Sequence, residues 1–289
     1  MRPLAALAVL AVLAASALLG GAAACSRDGG GRAPAGGSGA LTAVTLMPSG
    51  TEVMAALGAT ELLIGVDAYS DYPPEVRRLP KVGSFLSPDL EAIVRLRPSL
   101  VIVDDVHGPA AAALRDAGLE TVACAVHALP DVKRALRTVG ARIGKAAEAE
   151  RVVHEIDAAL DAAAARRPAR RPRVLAVIDR EAGGLGSLVA AGPGSWVDEL
   201  LAVVGGDNVL LASGVRYPKI SLEEVLRGAP DVILDLSYAA RGGLGPWRAV
   251  DVPATRTGRV IELHRPYLVA PSPRVTAALA DLERAIVPP

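Results

Sequence analysis

Aromatic residues are scarce in this chain: two Trp, five Tyr and one Phe among 289 residues. A core built on stacked rings is excluded, and each aromatic position becomes informative. Cysteine is scarcer still. Two residues exclude a zinc site of cysteine pairs. Net charge is absent, with 31 basic against 31 acidic side chains. Nucleic-acid binding needs clustered Lys and Arg, so no nucleic acid is expected as partner. Aliphatic residues dominate instead. Hydrophobic residues make up 51%, and a chain of this length can bury one large core or two lobes of ordinary size.

The N-terminus reads as an export signal. Arg2 is followed by a largely apolar run from Leu4 to Leu19, then small residues from Gly20 to Ala24. Cys25 comes next, and small residues directly before a Cys resemble the lipobox of bacterial lipoproteins. Residues 1–24 are therefore expected to be a signal peptide and Cys25 the lipidated residue. An exported protein anchored to a membrane through that lipid, facing the periplasm or the cell exterior, follows. Residues 25–41, rich in Gly, Ala and Ser, read as a flexible linker. With Cys25 lipidated, Cys124 has no partner; in the apolar run Thr121 to Val126 it is expected as a buried small hydrophobe.

Beyond the linker, short apolar runs alternate with helical patterns. Val44–Met47, Leu63–Val66, Leu100–Val103 and Thr121–Val126 read as strands, with helices such as Leu90–Leu96 and Ala110–Ala117 between them. The pattern restarts with Val174–Ile178, Leu188–Ala191, Val232–Leu236 and Val260–Leu263. Such alternation predicts βαβ units and mostly parallel sheets. A repeat supports two lobes: Leu90-Glu91-Ala92-Ile93-Val94-Arg95 precedes Pro98 and a strand, and Leu222-Glu223-Glu224-Val225-Leu226-Arg227 precedes Pro230 and a strand. Between them, Val132, Leu136, Val139 and Ile143 mark one helix, which Gly144 ends. Ala146, Ala149, Val153, Ile156 and Leu160 mark a second of some 20 residues, about 30 Å long. The expected fold is α/β: two Rossmann-like lobes, 42–128 and 172–289, joined through 129–171 by a long backbone helix, with a ligand cleft between the lobes.

Ligands bind outside the carboxyl ends of parallel strands. There the candidate ligand-binding residues gather, most of them aromatic: Tyr69 after Val66, Phe85 with Ser84 after Gly83, Tyr217 before the second repeat, Tyr238 after Leu236, Trp247 in the following loop, and Tyr267 with its neighbours Pro266 and Leu268 after Leu263. Rings held in loops suit a wide, flat, partly apolar ligand. Trp196, at a helix start, is expected to pack between a loop and its lobe. His107, His127 and His264 also follow strands and are candidate metal ligands. Arg216, Arg241 and Arg265 are candidate cations near the expected cleft, with no spacing signal to mark them. Asp104-Asp105 reads as a polar strand end. Ser187 and Ser195 lack a Gly-x-Ser-x-Gly context, and Gly183-Gly184-Leu185-Gly186 is not a phosphate loop followed by Lys, so an enzyme is not expected.

From Thr42 to Ile286 the chain resembles the helical-backbone (class III) substrate-binding proteins of ABC importers for vitamin B12, siderophores and haem. The segments carrying the resemblance are Pro48-Ser49-Gly50-Thr51-Glu52, Gly65 to Pro74, Leu79 to Gly83, Leu90 to Ile93, Ala191 to Gly194, Gly205 to Asn208 and Pro271 to Arg274. The Tyr69-Ser70-Asp71-Tyr72-Pro73-Pro74 loop looks most like the B12 branch. The resemblance implies cobalamin or a related corrinoid as cargo, with ferric siderophore or haem as alternatives, and no resident cofactor. A tetrapyrrole chelatase shares the general architecture and is the rival enzyme reading. The resemblance further implies contacts to the corrin from Tyr69, Phe85 (where that branch often has Trp) and Tyr267. Glu91 and Glu223 would dock onto arginines of the permease, whose ATPase subunits complete the set of partners. A monomer is expected. Haem-binding relatives often ligate iron through a Tyr where this chain has Ser84 and Phe85.

Overall fold

The structure, a computed structural model, describes residues 40–237 and 243–287. The expected signal peptide, Cys25, Tyr238 and Arg241 lie outside the described residues. The first half contains β1 Ala43–Thr45, α1 Pro48–Ala56, β2 Leu63–Val66, β3 Gly83–Ser84, β4 Ser87–Pro88, α2 Leu90–Leu96, β5 Leu100–Val103, α3 Gly108–Asp116 and β6 Thr121–Ala123. Then come α4 Leu129–Arg142 and α5 Ala146–Ala165. The second half contains β7 Arg173–Asp179, β8 Leu188–Ala190, α6 Trp196–Val204, β9 Asp207–Asn208, β10 Lys219–Ile220, α7 Leu222–Gly228, β11 Val232–Asp235, α8 Pro253–Arg256, β12 Val260–Glu262, α9 Pro266–Val269 and α10 Val275–Ile286.

The first sheet has the order β2-β1-β5-β6 and is parallel throughout. In the second, β12, β11, β7 and β9 pair in parallel, while β8 runs antiparallel to β7 and β10 antiparallel to β8. The reversal follows from loop length. Only residues 180–187 separate β7 from β8, and a parallel crossover needs a dozen or more.

Alternation along the strands sorts the core into layers. Leu100 and Ile102 of β5 face the same apolar cluster as Val174 and Ala176 of β7 and Val232 and Leu234 of β11. Their neighbours Val101 and Val103 turn to the outer face of the first sheet, against Ile93 and Leu114. Leu175, Val177 and Ile233 turn to the outer face of the second, against Val225 and Trp247. Both faces of each sheet are covered, as parallel strands require. The shared inner cluster also holds Leu136 of α4, Ile156 of α5, Leu200 of α6 and Leu282 of α10. The helices α4 and α5 form an antiparallel pair whose ion pairs, Lys133–Asp157 at 2.7 Å and Arg137–Glu150 at 2.8 Å, run in opposed register. The halves thus share one apolar layer in addition to a connecting helix.

The repeat is structural. Both α2 and α7 start with a side-chain cap, Asp89 accepting from the Ala92 N–H and Ser221 from the Glu224 N–H. Both end on a left-handed non-glycine residue, Arg97 at φ 50° and Ala229 at φ 38°, before Pro98 and Pro230. That conformation costs about 1–2 kcal/mol for an L-residue. The proline that follows disfavours the helical continuation and turns the chain into the next strand.

Among the described residues a polar tie joins the halves. Arg274 donates to the Glu52 carboxylate from Nε at 2.8 Å and from a second guanidinium nitrogen, and Ser272 donates to the same carboxylate. The guanidinium also lies 4.0 Å from the ring centre of Tyr72 and 4.6 Å from that of Tyr267. Glu52 is buried, so removing one partner leaves an uncompensated charge. Arg274→Ala should lower unfolding free energy by about 3–5 kcal/mol. Glu52→Gln with Arg274→Met should recover a measurable part in denaturant titrations. A loss under about 1 kcal/mol for Arg274→Ala would show that the pair behaves as a surface bridge.

Candidate functional site

A cavity of about 520 Å³ opens at the carboxyl edge of the first sheet. Every strand of that sheet sends a loop into its wall. Met47, Pro48 and Ser49 follow β1, Tyr69 follows β2, Asp104 follows β5, and Val126 and His127 follow β6. The β3–β4 hairpin adds Ser84, Phe85 and Leu86, and the second half adds Val269, Ala270 and Pro271. The lining is mainly apolar, and Tyr69 and Leu86 stand well out of the protein, 68% and 83% exposed. A concave apolar site with few polar groups, within the usual 300–1,000 Å³, is the form small-molecule sites take.

Local sequence explains the hairpin. Gly83 has φ +93°, and a Cβ there would meet the Ser87 carbonyl oxygen at 2.4 Å and the Asp89 nitrogen at 2.5 Å. Only glycine fits both the conformation and the space. The Gly83 carbonyl accepts from the Ala68 N–H at 2.8 Å, tying the hairpin to the Tyr69 loop. Beneath Phe85 lies His107, edge-on with ring centres 5.1 Å apart. Its Nε2 donates to the Phe85 carbonyl at 2.6 Å while Nδ1 accepts from the Asp104 N–H at 2.9 Å.

The Tyr69 loop is anchored by a buried polar chain. Ser70 donates to Asp67, Thr51 and Ser70 hydroxyls are 2.7 Å apart, and Thr45 and Thr51 hydroxyls 2.5 Å. Because Ser70 gives its proton to Asp67, Thr51 donates to Ser70 and Thr45 to Thr51, and each bond polarises the next. The Tyr69 N–H adds a bond to Asp67 at 3.0 Å, and Lys81 donates to the Ser70 carbonyl at 2.7 Å. Burial raises the Asp67 carboxyl above its ordinary value, against the Ser70 and Tyr69 bonds that oppose it.

At the far wall sit Asp104, Asp105 and His127, their ligand atoms within 4.8 Å of one another. His127 Nε2 is 3.0 Å from Asp105 Oδ1 and 3.6 Å from Asp104 Oδ1. Burial, followed by the bond to Asp105, pushes Asp104 upward, whereas the bonds from Asp104 and His127 hold Asp105 at about 2.

Of the sequence candidates, Tyr69, Ser84, Phe85 and His127 meet at this cavity. His107 is a correction: its two nitrogens are both engaged and the ring is buried, so it is no metal ligand but a support for Phe85. Trp247 is likewise corrected. It is 1% exposed in the outer core of the second sheet and donates to Asp235 at 3.1 Å. Leu268 is fully buried in the shared inner cluster and cannot touch a ligand. Tyr267 is half-buried, its hydroxyl donating to Asp281 at 2.6 Å; it, Pro266 and the exposed Tyr217 stand off the cavity wall. His264 pairs with Glu262, also away from the cavity, and its Nδ1 is buried without a partner among the described residues. Trp196 is buried and donates to the Tyr267 carbonyl at 2.9 Å. Cys124 is buried, which pushes its thiol up to about 12. Glu91 and Glu223 are exposed in the first turns of α2 and α7.

Sequence reasoning missed Met47, Pro48, Ser49, Leu86 and Val126 as lining residues, although the position after a strand's carboxyl end could have found most of them. It also missed Arg180. This buried cation donates to Asp235 at 2.6 Å and to the Gly184 and Gly243 carbonyls at 2.8 and 3.1 Å, tying together the loops that follow β7 and β11.

Residues 44–267 match the family described as periplasmic binding protein. The chain is similar to the vitamin B12-binding protein of Salmonella choleraesuis, 31% identical over 196 residues, 66% of this chain and 70% of the relative. It is 26% identical over 244 residues to the vitamin B12-binding protein of Vibrio cholerae, covering 83% and 86% of the two chains. Among solved structures, the periplasmic heme-binding protein RhuT from Roseiflexus sp. RS-1 is 32% identical with a TM-score of 0.76, over 86% of this chain and 98% of that one.

Burial alone would raise the Asp235 carboxyl, but bonds from Ser237, Trp247 and Arg180 hold it below the ordinary value of 3.8. A lowered folded value gives stability that is present above pH 3.8 and lost as pH falls below it. Asp235→Asn should therefore cost about 3–5 kcal/mol at pH 7 by orphaning Arg180. It should also flatten the fall of Tm below pH 3.8 relative to the unaltered chain. Parallel acid limbs in the two proteins would argue against this carboxylate as a source of the pH dependence.

Proposed function

Because the chain belongs to the periplasmic binding protein family, we propose that it is an exported lipoprotein that captures a corrinoid of the cobalamin type and delivers it to the permease of an ABC importer. The cavity carries this reading. Tyr69 and Leu86 project beside Phe85 into an opening with a mainly apolar wall, which is what a broad, rigid, partly apolar ring system needs. The curated relatives named as vitamin B12-binding proteins support it. The part of a binder fits better than that of an enzyme, since the Asp104–Asp105–His127 set has no nucleophile beside it among the described hydrogen bonds.

Haem is the second reading. The similarity to a periplasmic heme-binding protein favours it, as does an imidazole on the cavity wall. A ferric siderophore is the less favoured alternative: among the described residues no Arg or Lys lines the cavity, and neither Arg216 nor Arg265 reaches it, while Arg241 lies outside those residues. Anionic chelates are ordinarily held by such cations.

Glu91 and Glu223 are assigned to the permease. Each sits at the same point of the structural repeat, exposed, on a helix start that favours negative charge. Two rim charges of this kind orient a complex more than they tighten it.

Calorimetric titration of the mature protein with cobalamin, haem and ferric siderophores should give 1:1 binding to the corrinoid. Absence of heat with any corrinoid would remove that ligand from consideration. In cells, Glu91→Ala combined with Glu223→Ala should abolish corrinoid uptake while the purified variant keeps its affinity within about two-fold, since neither residue lines the cavity. Uptake at the unaltered rate would sink the docking role.

A further inference from the structure

His127 differs from the other described histidines in what its ring nitrogens do. Nε2 lies 3.0 Å from the Asp105 carboxylate and 3.6 Å from that of Asp104. An ionised carboxylate only accepts, so Nε2 carries the proton. Nδ1 then holds the lone pair, and it makes no hydrogen bond among the described residues. The side chain is 41% exposed and lines the cavity. By contrast, both nitrogens of His107 are consumed, and His264 and His154 are bonded elsewhere, off the cavity wall.

An imidazole held through one N–H by a carboxylate, with the other nitrogen free, is the arrangement proteins use to orient a histidine toward a metal and raise its basicity. Asp104 reinforces it from below. Its carboxylate is buried, and its backbone N–H is pinned by His107, which also braces Phe85. The same framework therefore fixes both the apolar wall and the imidazole. The two aspartates do not form a separate ion site, since both are already engaged with His127 and, in the case of Asp104, with the Val106 N–H at 3.2 Å.

We propose that His127 ligates the metal of the cargo through Nδ1, with Asp105 as the residue that positions the ring. The ligand class is a tetrapyrrole whose metal has an exchangeable axial position, either the cobalt of a corrinoid or the iron of haem. The step is a simple exchange: the Nδ1 lone pair forms the bond to the metal, the axial water leaves, and the oxidation state is unchanged. The inference rests on the reading of the cargo as a tetrapyrrole, and goes beyond it by naming the protein's own ligand.

The test is absorption spectroscopy of the purified mature protein titrated separately with diaquacobinamide and with haemin. A band shift from water to nitrogen ligation is expected on binding at least one of them, and which probe gives it identifies the metal. His127→Gly should still bind that probe but leave it with the water-ligated spectrum, and added imidazole should restore the shifted band. Asp105→Asn should keep the band and weaken binding by about 10- to 100-fold. Bound probes with the same spectrum in the unaltered protein and in His127→Gly would overturn the ligation and leave the tetrapyrrole reading standing. Failure of the unaltered protein to bind either probe would overturn both.

Discussion

Arg274 reaches from the second half of the chain to a carboxylate buried at the start of the first, and the cavity depends on that contact. Glu52 sits one turn beyond Met47, Pro48 and Ser49, which floor the opening. Arg274 sits three residues beyond Pro271, the last lining residue from the other half. The ion pair therefore fixes the two lining segments against each other. Beneath it the inner faces of both sheets share one apolar layer with α4, α5, α6 and α10. Opening such a layer would expose apolar surface at roughly 25 cal/mol per Å². Two lobes tied in this way are set for small adjustments about a preformed cleft. Wide hinge closure would need a thinner connection.

The cavity is lopsided. All four strands of the first sheet deliver residues to it, while among the described residues the second half contributes a single short segment. The second half instead invests its polar groups in its own frame, with Arg180, Asp235, Trp247 and Ser237 closing on one another. On the proposed reading, and among the described residues, recognition through chemistry belongs mainly to the first half. Its polar end is Asp104 and His127, and its apolar end is Tyr69, Phe85 and Leu86. A ligand with a polarised centre and a greasy rim matches that division.

Much of the fold was legible because it follows from one-dimensional patterns. Runs such as Leu100–Val103 and Val232–Asp235 are buried on both faces and read as unbroken apolar stretches, and Pro98 and Pro230 mark the turn into each. The 20-residue α5 follows from its apolar spacing. The antiparallel β8 was legible only from the shortness of the loop before it. The site was harder. Placing an aromatic in a loop says nothing of depth, and Trp247 turned inward because the Asp235 carboxylate offered its indole N–H a buried partner. Leu268 went the same way for want of any polar group. His107 and His127 share a sequence context, each a few residues after a strand. Only the chain path distinguishes the one folded under Phe85 from the one facing the opening.

The topology also bears on how a cargo leaves. In each half a helix feeds directly into a central parallel strand, α2 into β5 and α7 into β11. A helix that delivers the chain to the start of such a strand must begin at the opposite edge, where the strands end. Glu91 and Glu223 lie in those first turns, so they stand on the same side of the molecule as the cavity mouth. Glu91 is five positions beyond Leu86, which lines the mouth itself. A partner held by both glutamates would therefore sit over the opening, and the cargo would pass to it without crossing bulk water. If the proposed docking holds, capture and delivery share one face because helix direction in a parallel sheet puts the starts of α2 and α7 at the edge where the strands end.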